Sequence, residues 1–363
     1  MSKTILITGT SSGFGRNIAE TLAHAGHRVF ASMRNTTSRN HANAESLRSN
    51  GIRVVELDVT DDASVQRGVN SVLTQAGHLD VLINNAGIGS LNVSEAFTTD
   101  QLRALFDVNV FGVQRVLRSV LPSFRNQREG LIINIGSILG RVTVPFFGLY
   151  GSSKVALEAI TETYRYELSQ FGIDVVLVQP GSYPTGIFAS AQQPADADRI
   201  AAYGELGGIP TKIAQTIADS FKGESAPDPH EVAEVIAKLV AQPNGHHPAR
   251  VVVGQSLGAE IINAQAEAVQ IQLLQALGLT FLEQAPQHPQ ELESTLRTGR
   301  EVCPQIPHTS RTLSTCLKLA LMPVASHDTW LELANLNRKA TLLRSRRRCL
   351  TQSASSVPVR NGK

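Results

Sequence analysis

The chain has 363 residues, of which 42% are hydrophobic and 18% charged, with a net charge of +2. These are globular values, enough chain for a large core, and the overall charge singles out no charged partner. The charge is unevenly spread: residues 285–363 hold nine Arg, three Lys and five acids, which leaves 21 basic and 26 acidic residues in 1–284.

The first residues, "MSKTILIT", run straight into an apolar strand pattern without signal-peptide architecture. Nowhere do 18 uninterrupted apolar residues occur, so no membrane span is expected. All three cysteines, Cys303, Cys316 and Cys349, lie in the last segment, so the body needs no oxidising compartment. A cytoplasmic protein is expected.

In chain order, strands are expected at 4–8, 28–33, 52–57, 80–84, 131–135, 174–179 and 250–254. Helical patterns lie between them near 14–26, 62–76, 100–126, 150–171 and 229–241. Short continuous runs rich in Val and Ile fit strands buried on both faces of a parallel sheet. Regular alternation of strand and helix predicts an α/β fold with a single doubly wound sheet of about seven strands and helices on both faces. Residues 183–226 form a long insertion, expected to act as a lid over a site. The pattern breaks at "EQAPQHPQ", so 1–284 is read as one folded domain and 285–363 as a basic extension of low order.

After the first strand, Gly9, Gly13 and Gly15 mark a tight turn into a helix. Such a turn lets a phosphate approach the backbone and meet the positive end of the helix. The spacing, T-G-x-x-x-G-x-G from Thr8 to Gly15, resembles the glycine motif of the short-chain dehydrogenase/reductase family. The resemblance continues in order along the chain with "NNAG" (Asn84 to Gly87), Asn109 in "VNVFG", Ser137 in "NIGS", "YGSSK" (Tyr150 to Lys154) and "PGSYPT" (Pro180 to Thr185). It covers roughly 1–255 and is nearest the branch of hydroxysteroid and retinol dehydrogenases. It departs from many members at Gly136, where they carry a serine, a position that does not react.

The resemblance implies a Rossmann-type fold and catalytic roles for Asn109, Ser137, Tyr150 and Lys154. Tyr150 would exchange a proton with the substrate oxygen, Ser137 would hydrogen-bond that oxygen, and Lys154 would hold the nicotinamide ribose. Asn109 would anchor a water that links Lys154 to bulk. Tyr150 and Lys154 at i and i+4 share one helix face. A cation about 4 Å from the phenol, at an effective dielectric near 20, is worth about 4 kcal/mol, so the phenol is expected to fall from about 10 towards neutrality.

By the same resemblance, the cofactor-binding residues are Gly9, Ser11, Ser12, Gly13, Phe14, Gly15, Arg34, Asp58, Asn85, Ala86, Gly87, Tyr150, Lys154, Pro180, Gly181 and Thr185. The second strand ends in Ser32 and Met33 with no acid for a ribose 2′-hydroxyl, and Arg34 follows. A guanidinium suits a 2′-phosphate. NADP(H) is therefore expected, with NAD(H) left open.

Ile138, Phe146, Phe147, Tyr183 and Phe188 are expected to line the substrate pocket. They are mostly apolar, and no cation stands ready to clamp a carboxylate, so an uncharged hydrophobic alcohol or carbonyl compound is expected. A homodimer or homotetramer follows by analogy with relatives. The alternative is a non-catalytic NADP(H)-binding redox sensor that uses the basic tail for interaction. "RSRRR" reads as a solvated charge run, so nucleic acid is not an expected partner. "NGHHP" reads as a surface turn, and no metal is expected.

Overall fold

The computed structural model describes residues 2–223 and 226–283, and the expectations for 284–363 lie outside the described residues. Seven strands build one sheet: β1 Thr4–Thr8, β2 Arg28–Met33, β3 Arg53–Glu56, β4 Val81–Asn84, β5 Gly130–Ile135, β6 Ile173–Pro180 and β7 Arg250–Val253. Every neighbouring pair is parallel, and the order is β3-β2-β1-β4-β5-β6-β7. The helices are α1 Gly13–His24, α2 His41–Ser49, α3 Asp62–Ala76, α4 Thr99–Phe106, α5 Gly112–Gln127, α6 Gly148–Ser169, α7 Gly186–Ala189, α8 Ala197–Ala202, α9 Ile209–Ser220, α10 His230–Ala241 and α11 Ala259–Leu277.

Alternation along β1 shows why the strands are apolar throughout. Ile5 and Ile7 face α1 and α10, packing with Ile18, Leu22, Val232 and Ile236. Leu6, between them, faces the other layer and packs with Val69 of α3, Val116 of α5 and Leu157 of α6. Burying each such side chain stabilises the fold by about 2 kcal/mol. The helix signals act locally as well. Asp61 caps α3 through the Ser64 amide at 2.8 Å, and Thr98 with Gln101 forms a capping box at α4.

The helix expected at 100–126 is two helices joined by one turn of π-helix, Asp107–Phe111. The insertion at 183–226 is largely helical, holding α7, α8 and α9. Two further helices lie outside the sequence expectations. α2 is rich in Ala, Asn and Ser, and α11 carries apolar residues around much of its circumference, so neither shows a clean stripe.

The strand order reverses direction of winding between β1 and β4. In a doubly wound sheet that reversal opens a crevice at the carboxyl ends of the strands. The segments leaving β1, β4, β5 and β6 at that edge carry Gly9, Asn85, Ser137 and Gly181.

Candidate active site

At the first of these segments, Gly9 has φ 70°, and a Cβ there would sit 2.7 Å from the Ala86 Cα. A side chain is excluded both by conformation and by the approach of the β4 segment. The hydroxyl of Thr8 accepts the amides of Asn85 and Ala86 at 3.0 and 3.1 Å. The Asn85 side chain donates to the carbonyls of Thr8 and Gly9 at 2.9 and 3.0 Å. Asn85 therefore locks the turn with its side chain, a role that the sequence motif alone does not reveal.

Helix α1 begins at this turn. Its N-cap, Ser12, makes no side-chain capping bond, and no acid lies in the first turn. The amide donors of the first turn are thus left for an incoming anion, unlike those of α3 and α4. Ser12 and Gly13 face the segment after β6: a Cβ on Gly13 would lie 3.6 Å from Thr185, and one on Gly186 would lie 3.9 Å from the Ser12 Oγ. Phe14 turns away and packs edge-on against Tyr183 at 5.5 Å. At the end of β6, Gly181 follows Pro180 and donates its amide to the Val253 carbonyl at 2.9 Å.

Arg34, beyond β2, and Asp58, beyond β3, approach each other at 3.8 Å. Asp58 is held by the amide and hydroxyl of Thr60 at 2.9 and 2.8 Å. The Arg34 side chain is 54% exposed, with room to swing towards a ligand at this edge.

Ser137 leaves β5 and Tyr150 opens α6, which brings the two side chains together at the crevice. The Ser137 Oγ accepts the Leu139 amide at 3.1 Å, which fixes its direction. One turn along α6, Lys154 is 4% exposed and donates to the Ile135 carbonyl at 2.9 Å. Its ammonium lies 5.6 Å from the centre of the Tyr150 ring. Gly87 borders the same space: a Cβ there would lie 3.9 Å from the Lys154 Nζ. Asn109, in the π turn, accepts the Ile88 amide at 2.9 Å and donates to the Ile88 carbonyl and the Ser153 Oγ, both at 3.0 Å. Ser153 donates onward to the Tyr150 carbonyl at 2.7 Å. All four expected catalytic residues thus meet at one place.

The expected acidification of the phenol is not found. Burial pushes Tyr150 up to about 12, and the nearby Ser137 hydroxyl only partly opposes it. Burial also pushes Lys154 down to about 8, against the pull of Glu158. Sequence spacing brings the pair together but does not show that the ammonium is directed at the Ile135 carbonyl. The resting site keeps its proton on the tyrosine.

The substrate-pocket expectations divide. Phe147 meets Phe188 edge-on at 6.4 Å, and Phe188 meets Phe221 at 6.2 Å, so an aromatic row runs from the start of α6 into the insertion. Phe221 is an addition that the sequence motifs do not mark. Ile138 is buried in the turn after Ser137, and Phe146, at φ 68°, accepts the Asn92 amide on its carbonyl. Tyr183 requires correction. It is buried in the core behind α1, and its hydroxyl donates to Glu231 at 2.7 Å. An aromatic residue whose hydroxyl finds a carboxylate packs inward, and this partner lies 48 residues away, where local sequence does not reveal it.

Asn84 also has an unanticipated role. It donates to Asn134 across β4 and β5, and Asn134 donates to Thr161 of α6, both at 2.9 Å. This buried polar row fastens α6, and with it Tyr150 and Lys154, to the sheet. Among the described residues no group of His, Cys, Asp and Glu is placed to hold a metal ion, and no helix is long and apolar enough to cross a membrane.

Comparison with known proteins agrees with this geometry. The family model described as short chain dehydrogenase matches residues 3–196. A 3-ketodihydrosphingosine reductase of Bacteroides thetaiotaomicron is 35% identical over 245 residues, covering 66% of this chain and 84% of that protein. Retinol dehydrogenase 8 of Bos taurus is 36% identical over 188 residues, covering 50% of this chain and 60% of that protein. Among solved structures, a variant of actinorhodin polyketide ketoreductase with NADPH superposes with a TM-score of 0.59 at 28% identity, covering 71% of this chain and 97% of that one. The chain belongs to the short chain dehydrogenase family, a family of oxidoreductases.

Proposed function

We propose that the protein is an NADP(H)-dependent oxidoreductase that interconverts an uncharged hydrophobic alcohol and its carbonyl compound. One observation carries this reading: the Tyr150 ring, beside Ser137, stands over the Lys154 ammonium at the crevice edge. The uncapped start of α1 and the close approach at Gly9 support a dinucleotide with its pyrophosphate on that helix. Ser11, Ser12, Gly13, Gly15, Asn85, Ala86, Gly87, Pro180, Gly181 and Thr185 would hold it, with Asp58 on the adenine side. Bound there, a nicotinamide dinucleotide supplies or accepts hydride.

The chain's own residues handle the substrate oxygen. Ser137 donates to it, and Tyr150 delivers its proton as negative charge develops during reduction. A phenol held at about 12 keeps its proton at neutral pH and so has one to give during reduction of a carbonyl. Lys154 holds the ribose hydroxyls and offsets charge left on the tyrosine. Asn109, tied to both the Ile88 backbone and Ser153, fixes the start of α6.

Arg34 supports a 2′-phosphate, since it is exposed beside Asp58 and no acid ends β2. Phe147, Phe188 and Phe221 support an apolar substrate wall. Phe111 and Val155 are 51% and 53% exposed beside the start of α5 and on α6, which supports association of copies through these helices. The activity is tested by following NADPH consumption with aliphatic, aromatic and steroid carbonyl compounds. Turnover of an apolar carbonyl is expected, and exclusive use of carboxylate-bearing substrates would refute the pocket reading.

A further inference from the structure

Along α6, Tyr150, Lys154 and Glu158 follow at steps of one turn, and the third residue has no part in the chemistry above. Glu158 is only 2% exposed. Its Oε1 accepts from the Gln179 side-chain amide of β6 at 2.6 Å, and its Oε2 lies 2.7 Å from the Arg141 Nε. The Gln179 side-chain carbonyl in turn accepts from Asn263 of α11 at 2.7 Å. Gly140, three residues past Ser137, closes on the carboxylate so tightly that a Cβ would fall 2.1 Å from Oε1. Arg141 extends to Glu162, and Arg250 of β7 reaches Glu162 as well.

A carboxylate in such a place is costly, and an apolar side chain at the same helix position would simply add to the core. What the carboxylate touches is the turn that carries Ser137, and what lies one helical turn before it is the ammonium that serves Tyr150. We propose that Glu158 is a positioning residue of the active site, whose carboxyl group sits one helical turn behind the Lys154 ammonium and whose contact with Arg141 holds the Ser137 turn against α6.

The charged groups around Glu158 fit this role. Lys154 and Glu162 face it from its own helix, Arg141 from the turn after β5, and Arg250 from β7, while Gln179 and Asn263 are neutral. Burial lowers Lys154, and Glu158 is the charge that pulls it back up. Burial raises Glu158 itself, with Gln179, Arg141 and Arg250 opposing the rise.

This proposal rests on the NADP(H) reading, because the ammonium is observed through the cofactor it binds. The test is NADPH binding to the full chain, followed by NADPH fluorescence from pH 6.5 to 9.5, for the unaltered protein and for Glu158→Gln. Affinity in the unaltered protein should fall as Lys154 loses its proton, around pH 8. In E158Q the midpoint should move down by about one pH unit. The exchange variant E158Q/Q179E keeps the net charge and a carboxylate–amide pair while moving the anion to β6. It should shift in the same direction, and it serves if E158Q fails to fold. An unmoved midpoint in a folded variant would overturn the proposal and leave the NADP(H) reading intact. No NADPH binding by the unaltered protein at any pH would overturn both.

Discussion

The Lys154 ammonium donates to the Ile135 carbonyl at 2.9 Å and lies 5.6 Å from the centre of the Tyr150 ring, so the lysine is fastened to the sheet and attends the tyrosine from below. The arrangement fixes the distance between the two groups through β5 instead of through two flexible side chains. Its energetic cost is a buried ammonium.

That cost has a pH signature. Unfolded, Lys154 keeps its proton to about 10.5, whereas folded it keeps it only to about 8. Between these values the unfolded state binds more protons, so this residue makes stability rise with pH, by at most about 1.4 kcal/mol per unit and about 3 kcal/mol in all. Denaturant melts of the unaltered protein and Lys154→Met at pH 7, 8, 9 and 10 should show the rise in the first and a flatter profile in the second. Parallel profiles would contradict the burial of a charged lysine.

At the glycine turn, Gly9→Ala places a methyl group against the Ala86 backbone at a φ of 70°. Loss of about 1–3 kcal/mol of stability is expected from strain at such a position, together with at least tenfold weaker NADPH binding. Thermal melts and NADPH titration check both. Unchanged binding would mean that the cradle lies elsewhere.

The strands are readable from the sequence because Val and Ile runs have few other uses, and the site because its small residues occur in a fixed order. Less can be read where partners are far apart. Tyr183 is an apolar-edged residue in a loop until Glu231 appears opposite its hydroxyl. Gln179 and Asn263 are ordinary polar residues until the fold sets them behind Glu158, 84 residues apart in the chain. The direction of the Tyr150 shift escapes the sequence for a related reason, since i, i+4 spacing gives proximity but neither burial nor the carbonyl that the lysine prefers. Helices α8 and α9 of the insertion are hidden by its Gly, Pro and Ala content.

Cofactor choice depends on Arg34. Arg34→Ala should reduce kcat/KM with NADPH about tenfold or more while leaving NADH nearly unchanged, the loss of a charge-assisted contact worth about 1.5–3 kcal/mol. A preference of the unaltered protein for NADH would contradict the assignment.

Substrate fit depends on the aromatic row. Phe188→Ala removes the ring that bridges Phe147 and Phe221. KM for an apolar carbonyl should rise by roughly tenfold, as expected for about 1.5 kcal/mol of lost apolar contact, with kcat changed much less. A fall in kcat at constant KM would place the substrate away from this wall.

In the proposed reaction Tyr150 transfers the proton. Tyr150→Phe removes a hydroxyl and leaves the ring over Lys154. Steady-state reduction of whichever carbonyl compound the unaltered protein turns over, measured beside NADPH titration, should show kcat lower by about a thousandfold with NADPH affinity within a few-fold. Retained turnover in the folded, NADPH-binding variant would contradict the mechanism.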